Sequence, residues 1–321
     1  MKKIAGYLSK NMRRVVDNMR RVVDSNLSLG CFLEMNSRND YLKGTINNAI
    51  NYDCDTFMFF TGSPTRFARK NTNEINIPYF RQMIKTHNFD LDKIVVHGPY
   101  IINLANALNE QTRISSLETV RQEIKRLDDI GVKLLVLHPG GTGGGNRLNS
   151  LNALVKSLNE IILENQNVII CLETMSGKGN EVCINFDEIA YVIDQIIFKD
   201  KIGVCFDTCH LNDAGYDIKN DFDSVLTEFD SKIGLDKLKC IHLNDSKNSK
   251  GSHKDRHQNI GYGTIGFESL SKIVHNERLY GIPKILETPY IDNKIISIYK
   301  QEIEMLRNKK FNDEFANFIK D

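Results

Sequence analysis

The chain has no tryptophan, six prolines in 321 residues, and no two of its seven cysteines at CxxC spacing. The missing CxxC pairs leave no dithiol redox motif and no cysteine-pair zinc finger. No apolar run approaches the roughly 18 residues that a membrane span needs, and no signal-peptide pattern is present. Cys171, Cys205 and Cys240 sit inside apolar runs that read as buried strands, so a reducing, intracellular compartment is expected. Net charge is scarce too, at +1, which argues against a global basic field for nucleic acid. The sum hides an asymmetry. Residues 1–25 carry seven Lys/Arg against Asp17 and Asp24, a balance of +5, which leaves −4 for the remainder. If that remainder binds a polyanion, it needs a local positive site, and bound metal ions would supply one.

What is present reads as a globular chain, with 41% apolar and 26% charged residues. Residues 11–24 are a tandem heptad, NMRRVVD written twice. Met12, Val15, Val16, Met19, Val22 and Val23 fall at helical spacing, opposite a basic face. The expectation is an appended amphipathic helix packed on the main body. A nucleic-acid arm and an organelle-targeting segment are the sharper alternatives, the second weakened by the two Asp residues. The expected division is an extension over 1–25, a barrel domain over 26–310 and a tail over 311–321.

Eight short β-rich runs follow, at 28–34, 55–61, 93–97, 133–138, 167–173, 201–207, 238–243 and 283–287. Segments of helical periodicity lie between them, such as 113–130, 147–165, 185–198 and 220–232. Alternating β and α units imply a parallel sheet, and eight of them close a (β/α)₈ TIM barrel, a fold of about 250 residues. The third to eighth runs each finish on or beside a metal-competent residue: His97, His138, Glu173, Asp207, His242 and Glu287. In such a barrel the C-terminal strand ends share one mouth, so these six would converge. Singly, each is an ordinary strand-end polar group. Together, three carboxylates packed side by side would raise one another's pKa, and divalent cations remove that cost. His210, three residues beyond Asp207, and the pair Asp255 and His257 form a second cluster. Mixed imidazole and carboxylate donors suit zinc, with Mn²⁺ or Fe²⁺ as substitutes.

Seven stretches carry a resemblance: HGPYIINLA (97–105), LHPGG (137–141), LETMSGKGN (172–180), IGVCFDTCHLNDAGYD (202–217), IHLNDSK (241–247), KDRHQNIGYGTIG (254–266) and ILETP (285–289). In order and at barrel spacing, they resemble the endonuclease IV family of apurinic/apyrimidinic endonucleases across nearly all of residues 26–310. The resemblance implies three zinc ions. His97, His138 and Glu173 would hold one, and Glu173, as the catalytic bridge, would reach a second completed by Asp207, His242 and Glu287. His210, Asp255 and His257 would hold the third. It also implies hydrolysis 5′ to abasic sites in duplex DNA during base excision repair, leaving 3′-hydroxyl and 5′-deoxyribose phosphate ends. Three divalent ions against four carboxylates leave a charge that suits one attacking hydroxide and one phosphodiester. A monomer working wherever the genome is housed is expected, with duplex DNA as its partner and no membrane.

The DNA contacts implied are Tyr100 and Ile101, as a wedge in the minor groove, with Arg66 and Arg256 on mouth-side loops. Here the chain departs from the family pattern: Thr65 stands at the usual arginine position, and Phe32 replaces a histidine. The bland reading of Tyr100 and Ile101 is a cap on the barrel mouth. Lys178, Lys247, Lys250, Lys254 and Arg256 are further phosphate contacts or plain solvated charges. GGTGGG at 140–145 lacks the GK[ST] of a phosphate loop, and its glycines read as room for a DNA backbone. His87, His253 and His275 fit no ligand set and read as surface residues. Two other functions stay open. A metal-dependent sugar isomerase or epimerase on the same barrel is opposed by the third trio. A non-catalytic nucleic-acid module with a structural metal is opposed by the complete hydrolytic ligand set.

Overall fold

The structure is a computed structural model that describes residues 24–291, 297–316 and 318–319. All but the last residue of the tandem heptad, where an appended helix is expected, lies outside the described residues. Ten strands run in chain order among the described residues: β1 (Leu29–Phe32), β2 (Thr56–Phe59), β3 (Val95–His97), β4 (Leu134–Leu137), β5 (Ile169–Glu173), β6 (Ile202–Asp207), β7 (Leu238–His242), β8 (Asp245–Ser246), β9 (His257–Gln258) and β10 (Lys284–Leu286). Eight close a parallel barrel in the order β1-β10-β7-β6-β5-β4-β3-β2, and β8 pairs antiparallel with β9. The eight runs read from the sequence are the eight barrel strands.

Two-residue periodicity builds the interior. Val95, Val136, Cys171, Cys205, Cys240 and Ile285 point into the lumen and pack there with Met58 and Leu134. Successive side chains alternate faces, so the residue two places further along each strand points the same way, one layer nearer the mouth. Those residues are His97, His138, Glu173, Asp207, His242 and Glu287. Register sets their heights: Asp207 lies directly opposite His242 across the β6–β7 pair, and Glu173 opposite Cys205. The intervening residues, Val96, Leu137, Leu172, Phe206 and Ile241 among them, face outward into the larger core under the helices.

Helices start at the mouth end with asparagine caps. Asn109, Asn146 and Asn185 each accept from the backbone N–H three residues on, opening the helices Glu110–Ile130, Arg147–Ile161 and Phe186–Asp194. The first is a long helix that buries Leu117, Val120, Leu127 and Ile130 and stops at Gly131, whose φ of +97° closes the αL cap. Such caps are worth about 1 kcal/mol each and fix where each loop ends. Two histidines differ from expectation. His87 and His275 are half-buried, and the His275 ring donates to the Leu306 carbonyl at 2.9 Å, while His253 is exposed as expected.

The seam between first and last strands closes on Lys284, which is fully buried. Its Nζ donates to the carbonyls of Leu27, Leu279 and Ile282 at 3.1, 2.9 and 3.1 Å. Burial, helped by nearby Lys93, pushes its pKa down to about 8. Lys284→Met removes the donor and strands the three carbonyls, at about 1–3 kcal/mol for such a loss. Denaturant unfolding should show that decrease with the barrel retained; an unchanged midpoint would mean water replaces the ammonium without cost.

Candidate metal centre

Glu173 is the hub. Its Oε2 lies 3.1 Å from His97 Nε2 and 3.3 Å from His138 Nε2. Its Oε1 lies 3.2 Å from His242 Nδ1 and 3.3 Å from His210 Nδ1. One carboxylate at the end of β5 thus faces imidazoles from three other strand ends and from the helix Thr208–Ala214, which begins where β6 stops. The set Glu173, Asp207, His242 and Glu287 offers donor atoms all within 4.8 Å of one another, and so does the set His210, Asp255 and His257. His97 and His138 come together through their shared contact with Glu173 Oε2, and their rings lie 5.1 Å apart. Asp207 links the sets, its Oδ2 lying 3.4 Å from His257 Nε2 and 4.0 Å from His242 Nδ1. All nine candidate ligands therefore meet at one mouth.

Three of the five histidines are oriented as metal ligands usually are, with one ring nitrogen donating to a carbonyl and the other aimed at the centre. His97 Nδ1 donates to the Gly98 carbonyl at 2.7 Å, and His257 Nδ1 to the Glu287 carbonyl at 3.3 Å. His210 Nδ1 donates to the Thr174 carbonyl at 2.9 Å and leaves Nε2 facing Asp255 Oδ1 at 3.0 Å. His257 Nε2 is buried without a hydrogen-bond partner. An orphaned imidazole nitrogen beside four converging carboxylates is what a divalent cation would satisfy, and the donor set fits one.

Without cations the imidazoles carry the compensating charge. Burial works against protonation of His210 and His242, yet both are held well above 6.5, His210 by Asp207, Asp255 and Glu173, and His242 by Cys205 and then Glu287 and Glu173. His257 is likewise opposed by burial but raised to about 9, chiefly by Asp207. Burial alone would raise Glu173 and Asp255. Glu173 is instead held well below its ordinary value by His242 and His138, and Asp255 is lowered by its hydrogen bond to His210.

Further residues complete the site. Asn244, fully buried, donates from Nδ2 to Asp207 Oδ2 at 2.8 Å and accepts the Glu287 N–H at 2.9 Å. Thr174 accepts the Asp207 N–H on its hydroxyl at 3.0 Å. Neither was singled out from the sequence. Asn244 carried a usable signal, because it lies two residues beyond His242 and so continues the inward face of β7. The Tyr100 ring covers the first histidines, 5.3 Å from His97 and 5.1 Å from His138, and remains 47% exposed. Ile101 is half-buried beside it, while Arg66 and Arg256 are exposed on their loops. Phe32, in the place of the family's histidine, packs edge-on against Phe60 at 5.6 Å. A cavity of about 420 Å³ opens between Tyr100, His138, Glu173, Lys178, Asp255 and Glu287. Gly140 has a reason of its own to lack a side chain: a Cβ there would stand 2.2 Å from Asn103 Oδ1 of the same chain. Gly144, at φ +94° with open space around it, answers to backbone conformation instead.

This arrangement belongs to a known family. The profile of the family described as a xylose isomerase-like TIM barrel matches residues 46–309. A probable endonuclease 4 of Mesoplasma florum is 49% identical over 276 residues, covering 86% of this chain and 93% of that one. Another, of Geobacillus kaustophilus, is 48% identical and covers 91% and 98%. The chain belongs to the endonuclease 4 family. A crystal structure of endonuclease IV from Thermus thermophilus superposes with a TM-score of 0.75 at 25% identity, covering 88% of this chain and 98% of that one. A D-tagatose 3-epimerase-like protein superposes at 0.64 with 20% identity, which speaks for the shared barrel alone.

Metal binding must displace protons from this site, because ligating imidazoles are neutral. His210, His242 and His257 are all shifted toward the protonated form in the metal-free chain, so zinc loading at pH 7 should release protons. Calorimetry in buffers of different ionisation enthalpy counts them, and apparent affinity should rise with pH. The folded-state pKa of His257 is raised, so its contribution to metal-free stability is full below about pH 6.5 and lost as pH climbs through about 9. Proton-neutral loading would contradict this charge assignment.

Proposed function

We propose that this chain is a metal-dependent DNA-repair endonuclease that cuts duplex DNA 5′ to abasic sites, leaving a 3′-hydroxyl and a 5′-deoxyribose phosphate. The observation that carries the reading is the His210, Asp255 and His257 set, assembled beside the strand-end ligands and joined to them through Asp207. Strand-end ligands alone would serve a one- or two-metal sugar site. A third set has no task there, whereas a phosphodiester presents an attacked phosphorus and a leaving oxygen that both need charge stabilisation.

The residues that would hold three zinc ions are His97, His138 and Glu173; Glu173, Asp207, His242 and Glu287; and His210, Asp255 and His257. Bound divalent ions supply a nucleophile at neutral pH, by lowering the pKa of water from about 15.7 toward 7, and offset phosphate charge. The chain does the rest. Glu173 presents its two oxygens to different imidazoles, and Asn244 holds Asp207 and Glu287 in place between β6 and β10. Tyr100 covers one wall and keeps an open face, suited to stacking where a base is missing. Ile101, Arg66 and Arg256 would meet the DNA on approach, with Lys178 beside Asp255 at 3.4 Å offering a cation to a phosphate. A backbone approaching a basic rim fits duplex DNA better than a free sugar.

The decisive experiment combines metal analysis with incision of an abasic duplex, with and without chelator. Cutting that chelation abolishes and zinc restores is expected; sugar interconversion without cutting would overturn the proposal. Glu173→Gln supplies one carbonyl oxygen where two anionic oxygens are needed. It should lose bound metal and lower incision at least about a hundredfold, in line with losses of a main electrostatic element. Full turnover with unchanged metal content would remove Glu173 from its bridging role.

Tyr100→Ala tests the DNA contact. Base–aromatic stacking is worth roughly 1–3 kcal/mol, so productive binding of abasic duplex should weaken about five- to a hundredfold, with metal content retained. Equal KM and kcat would leave Tyr100 as a cap over His97 and His138.

A further inference from the structure

Asp213 is buried to zero exposure at the end of the helix Thr208–Ala214, outside every candidate ligand set. Three of the four donors to its carboxylate come from far along the chain, between residues 246 and 255. Oδ1 accepts from the Ser246 hydroxyl at 2.7 Å and from Asn212 Nδ2 at 3.0 Å. Oδ2 accepts from Asn248 Nδ2 at 3.2 Å and from the backbone N–H of Asp255 at 3.0 Å. The Asp213 carbonyl accepts the backbone N–H of His253 at 3.0 Å.

The last two bonds fall where the loop is least comfortable. Between β8 and β9, His253 and Asp255 are the non-glycine residues in left-handed conformation, with φ of +54° and +57°. A side chain at such a φ persists only where the surroundings determine it. Asp213 holds the N–H of both. The same seven-residue helix carries His210 one turn earlier, and its N-cap is Asp207. One short rigid element thus presents His210 directly and Asp255 through Asp213, and His210 Nε2 meets Asp255 Oδ1 at 3.0 Å.

We infer that Asp213 is the positioning residue of the His210, Asp255 and His257 set: it fixes the strained loop so that Asp255 is delivered to His210. The inference rests on the reading of that set as a metal site. Asp213 touches neither substrate nor any candidate ligand side chain, so its effect passes through the Asp255 backbone. Its loss should loosen that one set and leave the strand-end ligands on β3 to β7 and β10 as they are.

Asp213→Asn keeps the side chain's size and exchanges one acceptor oxygen for a donor. Two readouts are taken on the full chain: zinc bound per chain, and hydrogen exchange of the Asp255 and His253 amides in the metal-free protein. The variant should hold about one ion fewer, with affinity for that ion down roughly ten- to a hundredfold, as losses of outer-sphere partners are. Both amides should exchange faster, and incision should recover as zinc is raised. A purely structural role would lower the unfolding midpoint and leave the ion count and the zinc dependence alone. Wild-type ion count and amide exchange in folded Asp213→Asn would overturn the inference. If that variant does not fold, Asn248→Ala, which deletes a single donor to Oδ2, decides by the same two readouts. Wild-type chain measured alongside separates the two ideas. If it holds no ion that Asp255→Ala loses, the metal reading of the set falls, while amide exchange still decides whether Asp213 fixes the loop.

Discussion

Four carboxylates, Glu173, Asp207, Asp255 and Glu287, are drawn into one barrel mouth, and water cannot screen the innermost of them. Asp207 is fully buried and Glu173 nearly so. Like charges so placed would raise one another's pKa until some took up protons from water, or force the strand ends apart. Five imidazoles interleave with them instead, and in the metal-free chain the raised pKa values of His210, His242 and His257 put positive charge where cations would stand. The same repulsion explains why so much hydrogen bonding surrounds the site: Asn244 clamps Asp207 and Glu287, and the carbonyls of Gly98, Thr174 and Glu287 fix three rings. A preformed cluster of this kind exchanges protons for metal with little rearrangement.

The floor of the site was legible in the sequence because β-strands alternate with period two. Val95 and His97, Cys171 and Glu173, and Cys205 and Asp207 are each an apolar lumen residue followed by its polar counterpart one layer up. Finding the strand is enough to find the candidate ligand at its end. The supporting contacts were not legible, because they join residues that only the closed barrel brings together. Asp213 and Asp255 stand 42 residues apart, and Thr174 reaches the Asp207 N–H across 33. Backbone conformation was hidden as well. Glycine announces a left-handed turn, but His253 and Asp255 adopt one without that signal. Close packing was hidden too: in GGTGGG the sequence does not reveal that the neighbour of Gly140 is Asn103 of the same chain.

The barrel by itself does not choose a chemistry, as the fold shared with a D-tagatose 3-epimerase-like protein makes plain. Strand ends are the stiffest part of the architecture, since each is held by ladder bonds on both sides and by packing above and below. Ligands placed there serve any reaction that wants one or two cations at the mouth. The features that favour a phosphodiester lie elsewhere, on a seven-residue helix and on the loop between β8 and β9. Those segments have no ladder to hold them.

Their order has to come from side chains. Asp245 does this for the irregular segment that follows β9, collecting the backbone N–H groups of Gly261, Gly263, Ile265 and Gly266 on its buried carboxylate. Glu302 does it beside β9, where it accepts from Asn259 and from the Ile260 N–H, and where burial pushes its pKa up to about 7. Asp213 does it at the point nearest the ligands. Three buried acids, none of them a candidate ligand, therefore order irregular chain on both sides of β9, Asp213 where it meets the candidate metal centre. Their cost in desolvation is offset by backbone donors that would otherwise be unpaired. On this view the strands set where the chemistry happens, and the acid-pinned loop sets which chemistry it is.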